Sequence, residues 1–291
     1  GTIVDGVGRI GWMTGGHAAR WTDEEMSDVF LGKALEFIDE NKEEPFFLFY
    51  ATHENHVPRL PHPRFVGSTS LGVRGDVVVQ LDWNVGKIIE SLKKNDMLEN
   101  TLIIFSSDNG PVLFDGYYDA GPELNGDHRP AGPHRGGKYS VWEGGCRVPF
   151  IVTWPGTIAP GRSASIISHL DLLASLADLT GADLPDELTG DSQNLIDLLT
   201  GQSDVGRDHV VLQGVGLKSI RAGDWKYVPP GVVTSKGGID EKVFETIGEE
   251  GALYFLPEDP EERKNLAQAY PAKAAELKQL LEDELNATIT D

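Results

Sequence analysis

Three short, largely apolar runs constrain this chain more than any other feature. They are Pro45-Phe46-Phe47-Leu48-Phe49-Tyr50-Ala51, Leu102-Ile103-Ile104-Phe105 and Val148-Pro149-Phe150-Ile151-Val152-Thr153. Their length and their aromatic and β-branched content predict buried strands, which need cover on both faces. Helical patterns alternate with them. Thr22 followed by Asp23, Glu24 and Glu25 reads as a capped, acid-rich helix start, with Glu25 as the capping-box partner. Met26, Val29, Phe30, Ala34, Phe37 and Ile38 then recur at helical spacing to about Glu40. A second helix is expected over about 76–95, with Val78, Leu81, Val85, Ile88, Ile89 and Leu92 on its apolar face. A third covers Asp171 to Leu179, with Leu172, Leu173, Leu176 and Leu179 in its core.

Strands alternating with helices predict an α/β fold with a mostly parallel sheet sandwiched by helices. After about residue 206 the texture changes. Val210-Val211-Leu212, Leu217–Arg221 and Trp225–Val228 are short segments flanking turn signals such as Ala222-Gly223-Asp224. They predict a small C-terminal antiparallel sheet, closed by a helix over 271–288 that Pro271 opens. The expected domains are therefore 1–205 and 206–291. Residues 1–21 read as loop.

Lys plus Arg number 25 and Asp plus Glu 46, a formal charge of −21. That disfavours a nucleic-acid backbone as partner, and none is expected, since phosphates need clustered cations. It disfavours docking on an anionic membrane, and no apolar run approaches the ~20 residues needed to span a bilayer. Cys146 is the only cysteine, so internal disulfides and multi-cysteine zinc sites are excluded. The chain opens on Gly1, and G-T-I-V-D-G-V-G-R-I-G-W is unlike a signal peptide, so an internal start is expected.

Ligands of open α/β sheets bind in loops beyond the carboxyl ends of strands. Here those loops hold His53-Glu54-Asn55-His56-Val57-Pro58, Ser107-Asp108-Asn109-Gly110-Pro111 and His134-Arg135-Gly136-Gly137-Lys138. Asp108 and Asn109 offer adjacent oxygen donors suited to a hard cation, although D-N-G-P is also good turn chemistry. His56 has the chemistry of a general acid, with His53 beside it. Lys138 is a cation flanked by glycines that permit close backbone approach. The long stretch from about 108 to 146 exceeds a plain connection, and such loops are usually functional.

Taken together, F-F-L-F-Y-A-T-H-E-N-H-V-P, L-I-I-F-S-S-D-N-G-P and G-G-K-Y-S-V-W-E-G-G-C-R-V-P-F-I-V-T-W-P-G resemble, in order and spacing, the C-terminal two-thirds of a type I sulfatase. That family is formylglycine-dependent and belongs to the alkaline-phosphatase superfamily. R-A-G-D-W-K-Y-V and L-Y-F-L-P-E-D-P-E-E-R-K-N-L-A resemble its small C-terminal subdomain. The resemblance implies a hydrolase of sulfuric esters on a sulfated carbohydrate or on an aryl sulfate. The His and Arg richness of the loops favours a carbohydrate, and among glycans an amino-sugar 6-sulfate is expected. It implies Asp108 and Asn109 as Ca²⁺ ligands, His56 as the proton donor to the leaving group and Lys138 as a sulfate-binding cation. His53, His128, Arg129, His134 and Arg135 are expected to contact the sugar. A periplasmic or secreted location is implied by the family alone.

One departure is large. The family nucleophile is made from Cys or Ser in C/S-x-P-S-R, and no such motif occurs in these residues. Cys146-Arg147-Val148-Pro149-Phe150 has similar letters in another order, so Cys146 is expected to be a buried or loop thiol. The Asp pair that completes the family's calcium site is also missing, as is its Lys and His pair. Half an active site is expected, and the chain as given is expected to be inactive. The alternatives are a phosphodiesterase or phosphonate hydrolase of the same superfamily, and a non-catalytic glycan-binding protein.

Overall fold

The computed structural model describes residues 22–113, 119–234 and 244–287, with the backbone of two short strands near the start. These are β1 (Thr2–Val4) and β2 (Val7–Arg9), an antiparallel pair in which Thr2 faces Arg9. They occupy part of the stretch expected as loop; the rest of 1–21 lies outside the described residues. The chain divides into two compact units: Gly1–Thr101 with Leu113–Arg129, and Leu102–Val112 with Pro130–Asp291.

In the first unit, α1 (Met26–Glu40) packs on α2 (Gly72–Lys94). The entry to α1 differs from expectation. A 3₁₀ turn, Asp23–Glu25, precedes it, and the Thr22 side chain makes no cap hydrogen bond. The buried side of α1 carries Met26, Leu31, Ala34 and Ile38, while Val29 and Phe30 are exposed. On α2 the buried face runs through Val77, Gln80, Leu81 and Asn84, and Val78 is exposed. The consecutive valines 77–79 fit two adjacent faces equally, so spacing alone does not choose. Asp76 then decides, because its buried carboxylate accepts the backbone N–H groups of Gly67 (2.8 Å) and Thr69 (2.9 Å). A short helix, α3 (Gly121–Leu124), completes the unit.

Pro45–Ala51 is not the buried strand its composition predicts. It pairs with no strand among the described residues. Phe46, Leu48 and Tyr50 are half-buried, whereas Phe47 and Phe49 are 74% and 80% exposed. The period of two is that of a strand, but neither ladder partner nor cover is present among the described residues.

In the second unit, β3 (Ile103–Ser106) and β4 (Phe150–Thr153) form an antiparallel ladder, Ile103 facing Thr153 and Ser106 facing Phe150. All ladders among the described residues are antiparallel. Antiparallel edge strands are common on otherwise parallel sheets of this class. The turn α4 (Glu143–Cys146) leads into β4. Helix α5 (Asp171–Thr180) ends at Gly181, whose φ of +67° suits the left-handed cap. Its expected leucine core is displaced: Leu173 and Leu179 are exposed, and Asp171 and Ser175 are buried. Asp171 accepts two hydrogen bonds from Arg207 Nε (2.9 and 2.8 Å) and one from Gln193 N (3.0 Å). It anchors the helix start, and that long-range partner sets the buried face. Two single turns, α6 (Asp186–Thr189) and α7 (Ile196–Leu199), follow.

The C-terminal antiparallel sheet forms as expected. Strands β5 (His209–Gln213), β6 (Lys218–Ala222) and β7 (Trp225–Val228) are consecutive neighbours. Ala222 faces Trp225 across Gly223-Asp224, a two-residue hairpin turn with Gly223 at φ +54°. Beyond them, β8 (Gly231–Thr234) pairs with β9 (Phe244–Ile247), and β10 (Ala252–Phe255) adds to β7. Alternation divides the sheet's two faces. Ile220, Tyr227 and Leu253 pack with Ala274, Leu277 and Leu281 of α8 (Pro271–Ala287). Each buried leucine there contributes roughly 1.5–3 kcal/mol. Val228, Ala252 and Tyr254 join Val141 and Trp142, from the segment that precedes β4. No described helix is long and apolar enough to cross a membrane.

Candidate active site

The histidine loop belongs to the first unit. Glu54 is buried, and its Oε1 accepts from Ser27 Oγ at 2.6 Å and from Asn84 Nδ2. Asn84 also donates to Ser27 Oγ at 2.7 Å. This knot ties the loop to α1 and α2. His53 lies beside it, with Nδ1 4.0 Å from Glu54 Oε2 and its ring edge-on to Phe30. Burial lowers the His53 pKa against the pull of Glu54 and Asp23.

His56 is exposed. Its Nδ1 lies 2.8 Å from the Val57 carbonyl oxygen. A carbonyl only accepts, so Nδ1 carries the hydrogen and Nε2 is the atom left for chemistry. Arg59 is buried just beyond. It donates to Asn55 O (3.2 Å) and to Asp119 (2.9 Å). Asp119 also accepts from Arg74 Nε (3.0 and 3.1 Å) and from Gly121 N (3.0 Å). These ions fasten the histidine loop to the segment that continues to His128 and Arg129, both exposed.

Asp108, Asn109 and Lys138 belong to the second unit. Asp108, exposed after the end of β3, accepts the Asn109 N–H on Oδ1 at 3.0 Å. Asn109 donates its Nδ2 to Gly110 O (3.0 Å). The Lys138 loop is laced to this segment through the backbone. Gly110 N donates to Gly145 O (2.9 Å) and Lys138 N to Pro111 O (2.8 Å). The packing requires glycine: a Cβ on Gly110 would sit 1.8 Å from Gly144 O, and one on Gly144 2.4 Å from Arg135 O. The half-buried Lys138 ammonium lies 5.5 Å from the Tyr139 ring, with no carboxylate in pairing range among the described residues.

Two expected sugar contacts are engaged in the fold. His134 is half-buried with Nδ1 3.4 Å from Pro260 O, and burial followed by the Arg147 charge lowers its pKa. Arg135 is buried. Its guanidinium stacks 4.1 Å from the Trp142 ring centroid and donates to Glu262 O (3.0 Å) and to the Glu245 carboxylate. Cys146 donates weakly to Ser140 O at 3.5 Å, and burial raises its pKa.

Asp108 and Asn109 have the hard oxygen donors that Ca²⁺ prefers, but two donors fall short of the six to eight it takes. Among the described residues no group of three or more His, Cys, Asp or Glu could hold a metal. The donor type fits calcium; the count requires further oxygens.

The sulfatase family profile matches residues 8–182. The profile of the N-sulphoglucosamine sulphohydrolase C-terminal region matches residues 137–291. The chain belongs to the sulfatase family. It is 44% identical over 284 residues to an N-acetylgalactosamine-6-O-sulfatase of Bacteroides thetaiotaomicron, covering 97% of this chain and 55% of that protein. It is 34% identical to human arylsulfatase A, covering 86% of this chain and 51% of that enzyme. A solved sulfatase structure from a B. thetaiotaomicron locus for glycosaminoglycan metabolism superposes with a TM-score of 0.87 at 44% identity. That match covers 97% of this chain and 59% of that one. A Pseudoalteromonas sulfatase follows at TM-score 0.76 and 25% identity, covering 90% of this chain and 53% of that one. The chain thus spans about half the length of the curated relatives it matches. The fold is that of the alkaline-phosphatase-like sulfatases, with the antiparallel C-terminal sheet.

Sequence reasoning missed Glu54, Arg59 and Asp119, and gave no role to Glu143, Lys226 or Glu262. The one available signal was charge placed inside otherwise apolar or glycine-rich blocks, as in W-E-G-G and D-W-K-Y. A charge there must be exposed or paired.

Proposed function

We propose that these 291 residues carry the sulfate-holding and leaving-group side of a sulfuric-ester hydrolase. Its substrate would be an amino-sugar 6-sulfate within a sulfated glycan, and its nucleophile would come from residues outside these. The observation that carries the substrate is 44% identity, over 97% of this chain, to a protein named N-acetylgalactosamine-6-O-sulfatase. The lacing of the Asp108-Asn109 segment to the Lys138 loop supports the site.

In this reading Asp108 and Asn109 hold Ca²⁺ together with oxygens outside these residues. The cation would neutralise sulfuryl charge, and a hydrated formylglycine outside these residues would supply the attack on sulfur. Lys138, with no carboxylate in pairing range among the described residues, would hold the negative sulfate oxygens and stabilise their charge as the ester bond breaks. His56, its Nδ1–H held by Val57 O, uses protonated Nε2 to donate to the departing sugar oxygen. His128 and Arg129 would contact the sugar.

The test is sulfate release by the whole protein from N-acetylgalactosamine 6-sulfate, the 4-sulfate and p-nitrophenyl sulfate. We expect the 6-sulfate to be cleaved preferentially. His56→Ala is expected to lower kcat by about 10²–10⁴-fold, and Lys138→Ala to reduce kcat and raise KM. Glycan binding without turnover would overturn the reading in favour of a binding protein. Faster cleavage of a phosphodiester or phosphonate ester would assign the other branch of the superfamily.

A further inference from the structure

Lys226 is fully buried on β7 between two fully buried carboxylates. Its Nζ lies 3.1 Å from Glu143 Oε1 and 2.9 Å from Glu262 Oε1. Burial alone would drive this ammonium toward neutrality, but the charges of Glu262 and Glu143 outweigh it and hold its pKa above the ordinary lysine value. Arg221 adds a second cation to Glu143 at 3.0 Å. Glu262 takes a left-handed backbone, φ +51°, a conformation that a non-glycine residue keeps only where its surroundings impose it.

The cluster reaches the candidate site through the backbone. Glu262 Oε2 accepts the Glu143 N–H at 2.7 Å, and its carbonyl accepts from Arg135 at 3.0 Å. Both ends of the Lys138 loop are therefore fastened to one residue. Within the loop, Gly144 N donates to Arg135 O at 2.7 Å. Gly145 O then accepts from Gly110, next to Asn109, and Lys138 N donates to Pro111 O. Every link is a short hydrogen bond or an ion pair inside the second unit.

We propose that Lys226 is a positioning residue: through Glu143 and Glu262 it sets the geometry of the Lys138 loop and of the Asp108-Asn109 segment packed on it. This rests on the function proposed above. A buried cation between two carboxylates cannot slide without leaving a carboxylate unpaired in a dry interior, so the loop has one permitted register. A merely structural role would instead weaken the whole unit evenly.

The test compares the whole protein with Lys226→Met, with Glu262→Gln and with the double variant Lys226→Met/Glu262→Gln. The double variant removes one charge of each sign and leaves Glu143 paired with Arg221, so it guards against a single variant that fails to fold. Backbone hydrogen exchange is read at Gly110, Lys138 and Gly144, with β6 and β7 as internal reference. We expect exchange at the three amides to rise at least about tenfold in the double variant while the strand amides stay protected. The calcium concentration for half-maximal sulfate release should rise by about 10–100-fold, the usual range for groups that support ligands indirectly. Glu262→Gln, whose amide oxygen still accepts from Glu143 N–H, should remain within about threefold of wild type in both readings. Unchanged exchange at the three amides, or equal loosening of loop and sheet, would overturn the proposal. If the wild-type protein releases no sulfate, the proposed function fails, and the exchange comparison alone judges the positioning role.

Discussion

Gly110 and Gly145 are joined by a backbone hydrogen bond of 2.9 Å, closing the Lys138 loop onto the segment that holds Asp108 and Asn109. The contact leaves no room for a side chain, because a Cβ on Gly110 would meet Gly144 O at 1.8 Å. Backbone on both sides must move to admit it. Gly110→Ala is expected to destabilise the chain by about 1–3 kcal/mol or more in urea denaturation. Gly32, exposed inside α1 with nothing within 4 Å of its Cβ position, gives the opposite sign. Gly32→Ala should stabilise by about 0.4–1 kcal/mol. Equal effects of the two substitutions would contradict the packing described.

Stability should fall as the solution is acidified through the histidine range. His53 and His134 have depressed pKa values, each mainly through burial. Above the unfolded value of about 6.5 both states are neutral and stability is complete. Below it the unfolded chain takes up protons that the folded chain refuses. Stability is therefore lost as pH falls from the unfolded value through the folded one. Thermal melts between pH 8 and 5 should show this slope, and His53→Gln should flatten it. A melting temperature independent of pH in that window would count against it.

Cys146 should react slowly with thiol reagents. Burial raises its pKa; the Lys226 charge opposes this, and the carboxylates of Glu143 and Glu262 add to it, with a net rise. Little thiolate exists at neutral pH, and the thiolate is the reactive form. Iodoacetamide labelling at pH 7.5 should be many-fold slower than that of free cysteine, rising sharply on addition of denaturant. Rapid labelling of the native chain would show an exposed, activated thiol instead.

Phe47 and Phe49 should make residues 1–291 bind an apolar dye. They project from Pro45–Ala51 with most of their surface in water. Exposed aromatic rows of this kind mark interaction surfaces or association liabilities. Fluorescence of anilinonaphthalene sulfonate should increase with the chain and drop with Phe47→Ser/Phe49→Ser. The melting temperature should hardly move, since exposed substitutions are usually within about 0.5 kcal/mol. Strong destabilisation by the pair would mean that the two rings are covered in solution.

Local pattern determined much of this protein by itself. Strands β5 to β7 and helix α8 were legible because each repeats its own period beside clear turn and start signals, Gly223-Asp224 and Pro271. The D-N-G and G-G-K blocks were legible as candidate chemistry because oxygen donors and a lysine followed or preceded apolar strands. Tertiary structure alone decided the rest. Val77 rather than Val78 faces the core of α2, and Asp171 with Ser175 rather than a leucine stripe lies beneath α5. In the second case the determinant is Arg207, 36 positions away from Asp171. The Lys226 cluster draws on Glu143, 83 positions earlier, and Glu262 binds a backbone N–H 119 positions back. A buried charge has no period and no local signature. It is tolerated only where a distant partner of opposite sign arrives in register, and chain topology, not neighbouring sequence, brings that partner.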